Sequence, residues 1–226
     1  GLGGTIVLAG GSFVLTDHEV IGDDSLLIIA DMAALGIDAF NGTVAQLILD
    51  GGSITGTTGV LTSTAVIDAR SGIASAILAG INGLTKSTAG TLTLSAPNTY
   101  TGATTIDEGV IDITGAGTID AASAIAIHDG GTLRLSRSNI WGDHTTLTSA
   151  LITVNAGGTL ETNNSFNTLI DLALNGGTVL LNGGFSSAFP ALALKGIVTV
   201  GGSQASQINV GTGSNNAINI GATEAD

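Results

Sequence analysis

Residues 83–113 read GLTKSTAGTLTLSAPNTYTGATTIDEGVIDI. Leu92 and Leu94 alternate with threonine at the end of one strand, and Pro97, Asn98 and Gly102 mark a polar turn. A second strand follows from Thr104 to Ile106, then an acidic glycine turn from Asp107 to Gly109, then a third strand from Val110 to Ile113. Short strands separated by turns, with no helical period, make an all-β fold the first expectation.

The same grammar recurs along the chain. Two alternating strands hinge on a glycine-type corner in TIVLAGGSFVL from Thr5, LILDGGSIT from Leu47, IAIHDGGTLRL from Ile125, ITVNAGGTLET from Ile152, LALNGGTVLL from Leu172 and LALKGIVTV from Leu192. From Ile125 onward successive starts lie 27, 20 and 20 residues apart, and 19 residues separate Ile106 from Ile125. A step near 20 fits one turn of a parallel β-helix. No single coil can bury its own aliphatic side chains, but coils stacked about 4.8 Å apart share one core. Alternation then turns Ile152, Val154 and Leu160 inward and Thr153, Thr159 and Glu161 outward. An up-and-down antiparallel sheet is the competing architecture, because Asn-Gly and Asp-Gly also make hairpins.

Four sub-motifs of the opening stretch stand in a telling order: Gly-Leu-Thr-Lys from Gly83, Gly-Thr-Leu-Thr-Leu-Ser from Gly90, Asn-Thr-Tyr-Thr-Gly from Asn98 and Thr-Thr-Ile from Thr104. In that order the stretch resembles the autotransporter-associated β-strand repeat of bacterial passenger regions, over one repeat's length. The resemblance implies a right-handed, single-stranded parallel β-helix, extracellular or on the cell surface of a Gram-negative-type bacterium.

A net charge of −13, with Lys86, Lys195, Arg70, Arg134 and Arg137 the only Lys and Arg, repels phosphate backbones and argues against nucleic acid as a partner. With Cys 0 there is no disulfide framework. Gly, Thr, Ser and Asn interrupt every apolar run well before the roughly 20 residues of a spanning helix, so no membrane insertion of this segment is expected. No compositional break divides the chain, which points to a single solenoid domain over residues 1–226. Gly1 without a signal peptide and Asp226 without a barrel-like strand read as the bounds of a mature piece or of a cut from something larger.

Two places depart from the pattern. Residues 23–40 set Leu26, Ile29, Ala33 and Ile37 at helical spacing behind an Asp/Ser cap, which suits a short helix near the N-terminus; two degenerate strands suit the same residues. The 27-residue step inserts RSNIWGDHTTLTS from Arg137 to Ser149, which contains the sole tryptophan. Loops mounted on a scaffold commonly carry function. Arg137, Trp141, Asp143 and His144 are therefore the candidate interaction residues, for a sugar ring stacked on the indole or for a protein partner; the alternative folds Trp141 back over the coil. Residues 185–190 read as an apolar bulge between coils.

Chemistry is sparse. The chain has no Gly-x-Ser-x-Gly elbow, phosphate loop, dinucleotide fingerprint or His-Glu-x-x-His. His18 between Asp17 and Glu19 is the one tight His/carboxylate cluster, and a solvated turn explains it. Asp107 with Asp129 is the carboxylate pair that stacking could bring together for glycan hydrolysis. No catalytic residue, cofactor or resident metal is assigned; Asp-Gly-Gly at Asp50 and Asp129 reads as a turn only, and weak calcium binding somewhere on the acidic surface is the one metal expectation. Thr91 with Thr93, or Thr104 with Thr105, offers a hydroxyl face of limited extent. The expectation is a non-enzymatic extracellular β-solenoid acting as adhesin, stalk or fibre subunit, with self-association into fibres and a host or surface glycan or protein as partners. The alternative is a carbohydrate-binding or carbohydrate-active β-helix using the side loop.

Overall fold

The computed structural model describes residues 2–119, 122–141, 150–183, 191–211 and 218–220. The regular elements among them are all strands. One face of the coil stacks Thr5–Leu8, Leu26–Ala30, Gln46–Gly56, Ile67–Ala74, Leu84–Lys86, Thr104–Ile106, Ala124–Ile127, Leu151–Asn155, Leu172–Asn175 and Val198–Val200. A second face stacks Gly11–Val14, Ala33–Asp38, the later parts of Gln46–Gly56 and Ile67–Ala74, then Thr91–Leu94, Gly109–Ile113, Gly131–Leu135, Thr159–Asn163, Thr178–Asn182 and Gln207–Val210. The third face holds Gly42–Val44, Val60–Ser63 and Ile77–Ala79 early in the chain, and Asn167–Leu169, Leu192–Leu194 and Ile218–Ile220 late. Every one of these ladders is parallel, which removes the hairpin architecture; the antiparallel bridge of Asn155 with Gly176 belongs to a corner. The protein is an all-β parallel β-solenoid with coils of about 20 residues.

The core follows from the alternation. One inward row runs Leu35, Ile54, Ala74, Leu94, Ile113 and Leu135, each the ladder partner of the next and each fully buried. Burying one such leucine or isoleucine contributes about 1.5–3 kcal/mol, and each coil supplies only its own share.

The Gly-Gly corners need both glycines, for different reasons. Gly130 has φ 81°, a left-handed conformation that a side chain disfavours. Gly131 instead lies against the coil below: a Cβ there would stand 2.4 Å from the carbonyl oxygen of Ile106. The second glycine lets successive corners approach.

Two expectations are corrected. Residues 23–40 form no helix. Leu26–Ala30 and Ala33–Asp38 are strands with Leu27, Ile29, Leu35 and Ile37 buried, separated by a corner at Asp31 and Met32, where Met32 has φ 62°. The helical spacing arose from two period-two runs joined across that corner. Leu192 does not open the coil after Leu172. Leu192–Leu194 lies on the third face beside Asn167–Leu169, and Leu172 pairs with Val198. The apolar residues at 185–190 lie outside the described residues.

On the outer faces Arg70 and Arg134 sit among carboxylates of their own and adjacent coils. Arg70 bonds Asp68 through Nε and Asp50 through Nη1, both at 3.0 Å, and the Asp68 hydrogen bond foremost holds its guanidinium above the ordinary value. Arg134 reaches Glu161 at 2.8 Å, and Asn182 Nδ2 donates to the other oxygen of Glu161 at 2.8 Å.

Candidate functional site

The polar side chains turned into the solenoid are concentrated where the chain rounds its corners. In the alternation of Leu84–Lys86, Lys86 takes an inward position, and its residue is fully buried. Its Nζ donates to the carbonyls of Thr88 and Glu108, the latter at 3.1 Å, beneath the turn at Gly109. Burial lowers the amine below its usual lysine value, against the nearby charges of Glu108 and Asp68. Thr104 also faces inward, and its hydroxyl meets the buried Tyr100 hydroxyl at 2.9 Å; burial pushes the Tyr100 phenol up. Thr104 is thus removed from the surface hydroxyl face that its neighbour Thr105 suggested.

Asn98 is the most connected of these residues. Its Oδ1 accepts the backbone N–H of Leu78, and its Nδ2 donates to the carbonyls of Ala96 and Thr118. One buried amide therefore joins the coil below to the coil above, where the third face has no regular strand of its own. Asn167 ties its own coil to the one below: Oδ1 accepts the N–H of Ile140 at 3.0 Å, while Nδ2 donates to the Arg137 carbonyl at 2.9 Å and to Ser165 Oγ at 3.1 Å. The sequence marked Asn98 only as a turn residue and did not mark Asn167. Parity held the signal for Lys86 and Thr104, which fall two residues from Leu84 and Ile106 on the inward phase.

Residues 84–113 match the family model of the passenger-associated-transport-repeat. The matched stretch contains Lys86 and Asn98, whose side chains bond backbone groups of adjoining coils, and the Tyr100–Thr104 pair, which closes within its own coil. The match covers one repeat's length of the chain, and the β-solenoid around it is consistent with the passenger-type segments in which that repeat is found. Neither a curated protein nor a solved structure matches the chain.

Beyond the repeat, the candidate loop residues divide. Trp141 is 1% exposed and belongs to the core, so the indole follows the folded-back reading and presents no stacking surface to a sugar. Its Nε1 has no hydrogen-bond partner among the described residues, nor have the buried Asn139 Oδ1 and Thr168 Oγ1. Arg137 Nη1 donates to the Gly117 carbonyl at 2.8 Å. Asp143 and His144 lie outside the described residues.

The two carboxylate groupings that the sequence singled out do not form a reaction centre among the described residues. Asp107 meets His128 Nδ1 at 2.7 Å on the next coil rather than Asp129. The cluster at residues 17–19 is spent on backbone: His18 Nδ1 accepts the Asn41 N–H, Glu19 accepts the Thr43 N–H, and Asp17 caps the N–H of His18. Among the described residues there is no group of three His, Cys, Asp or Glu that could hold a metal. A shallow outer groove lined by Val14, Gly36, Asp38, Thr55, Thr57 and Ser75 owes its depth to small side chains.

Proposed function

We propose that this solenoid is a non-enzymatic stalk, the stiff segment of a surface passenger that holds other parts of the molecule away from the cell. The carrying observation is what the buried polar groups do. Lys86, Asn98 and Asn167 bond to backbone carbonyls and N–H groups of their own and adjoining coils. They stiffen a column and frame no cleft. From Thr5–Leu8 to Val198–Val200 the ladder extends about 43 Å at about 4.8 Å per coil.

The test exploits the ladder's phase. Leu27 pairs with Leu47, so deleting residues 27–46 removes one turn and joins Leu26 to Leu47 with alternation intact. The variant should remain folded, and small-angle scattering should give a rod shorter by about 4.8 Å. Saturable glycan binding or polysaccharide turnover by the intact chain would overturn the stalk reading.

A further inference from the structure

At Gly36 and Asp38 the second face departs from its own pattern. Gly36 sits inside the strand Ala33–Asp38, between its ladder partners Val14 and Thr55. Its backbone lies outside the left-handed region, and a Cβ there would find Val14 Cγ2 at 3.4 Å and Thr55 Oγ1 at 3.7 Å, ordinary contact distances. Neither conformation nor crowding calls for glycine, which weakens a strand interior and elsewhere marks a place where a ligand comes close. What the bare position does is hold the outer row open. The ladder then slips: Gly36 pairs with Thr55 but Asp38 with Gly56, and Asp38 has φ 48°, a conformation that most side chains resist. Asp38 is exposed and lines the groove described above. Its Oδ1 accepts the Thr57 hydroxyl at 3.1 Å, while its Oδ2 and the hydroxyls of Thr55 and Ser75 have no hydrogen-bond partner among the described residues. The groove has a volume of about 350 Å³, inside the range of roughly 300–1,000 Å³ found for small-molecule sites.

We propose that this groove binds a primary ammonium group on a short aliphatic stem, carried by a free amine or by a lysine side chain. Asp38 is the one charged residue of the lining, and the chain as a whole carries −13. A cation is therefore drawn in and an anion turned away. The three N–H donors of an ammonium suit the free Oδ2 of Asp38 and hydroxyl acceptors set on separate coils. A guanidinium fork wants both oxygens of one carboxylate, and Thr57 already holds Oδ1. The methylenes of the stem lie on Val14 and in the gap at Gly36. No aromatic stands in the lining, so a sugar ring has no face to stack on. The proposal rests on the groove and not on the stalk role.

The probe is n-butylammonium, titrated into the full chain at constant ionic strength while backbone amide NMR shifts are followed. Saturable shifts centred on Gly36, Thr55, Gly56 and Thr57 are expected, and n-butanol, which lacks the charge, should cause none. Asp38→Asn keeps an acceptor for Thr57 and tolerates the positive φ, and should weaken binding about tenfold or more. Gly36→Val fills the gap and should also weaken binding, with thermal melts showing that the variant folds. Asp17→Asn removes a carboxylate from outside the lining and should change nothing, which separates the site from general attraction to an acidic surface. A lysine peptide that binds as the free amine does, and stops binding once its side chain is acetylated, assigns the groove to a partner protein; a peptide that does not bind, beside an amine that does, assigns it to free amines. Shifts that never saturate, shifts spread equally over other carboxylates, or equal affinity of wild type and Asp38→Asn would overturn the proposal.

Discussion

The side-chain oxygen of Asn98 accepts the backbone N–H of Leu78, 20 residues earlier and one coil below, at 3.0 Å. Truncating it strips the buried Leu78 N–H and the Ala96 carbonyl of partners that water cannot replace. Asn98→Ala should therefore cost about 2–4 kcal/mol in urea unfolding, beyond what one exposed hydrogen bond contributes. Asn98→Asp should cost at least as much, because it keeps the acceptor, loses both donors and buries a charge. An unchanged midpoint for either variant would contradict the clasp.

The paired corner glycines should respond differently to the same substitution. Gly131→Ala forces a Cβ toward the Ile106 carbonyl, a backbone atom that cannot swing aside, and should cost about 1–3 kcal/mol or more. Gly130→Ala meets only Glu108 Cγ, at 3.8 Å, and pays the left-handed backbone term of about 1–2 kcal/mol. Thermal melts of the two variants should rank Gly131→Ala as the worse; the reverse order would place the contact elsewhere.

Lys86 should leave a signature in alkaline solution. Its folded value lies below the 10.5 that the unfolded chain retains. Between those two values the unfolded state binds more protons, so raising the pH favours the native state through this group. Below the folded value the full cost of burying the charged amine is present. Stability of the wild type minus that of Lys86→Met should rise as the pH climbs toward 10.5, measured by urea titrations. A pH-independent difference would remove the assignment.

Trp141 provides an intrinsic probe, being the only tryptophan. Its emission should be blue-shifted and shielded from iodide in the native state, then red-shift on unfolding. Trp141→Ala should destabilise by about 3–5 kcal/mol through the cavity it leaves. Trp141→Phe should cost less, since it also deletes a buried N–H without a partner. Ready quenching of the native protein would show the indole to be exposed.

The stacked coils were legible because strands such as Ile152 to Asn155 alternate cleanly and recur at a nearly constant step. Face assignment was not. Leu192 to Leu194 alternates like any first-face strand, and period two carries no mark of which side of the coil a strand occupies; the longer step between Leu172 and Val198 shifted it to the third face. Residues 23–40 misled in the other direction, because Leu26, Ile29, Ala33 and Ile37 mimic a helical stripe when a corner intervenes. The clasps were invisible for a further reason. Asn98 earns its place through carbonyls and N–H groups of other coils, and a single strand's pattern does not contain them.

Because every ladder joins a strand only to its counterparts one winding before and after, tension applied between the two tips loads the coils in series. The weakest winding should yield first while the others hold. Gradual lengthening in discrete increments of one coil's contour, rather than one abrupt rupture, is the mechanical behaviour such a column imposes on whatever it tethers.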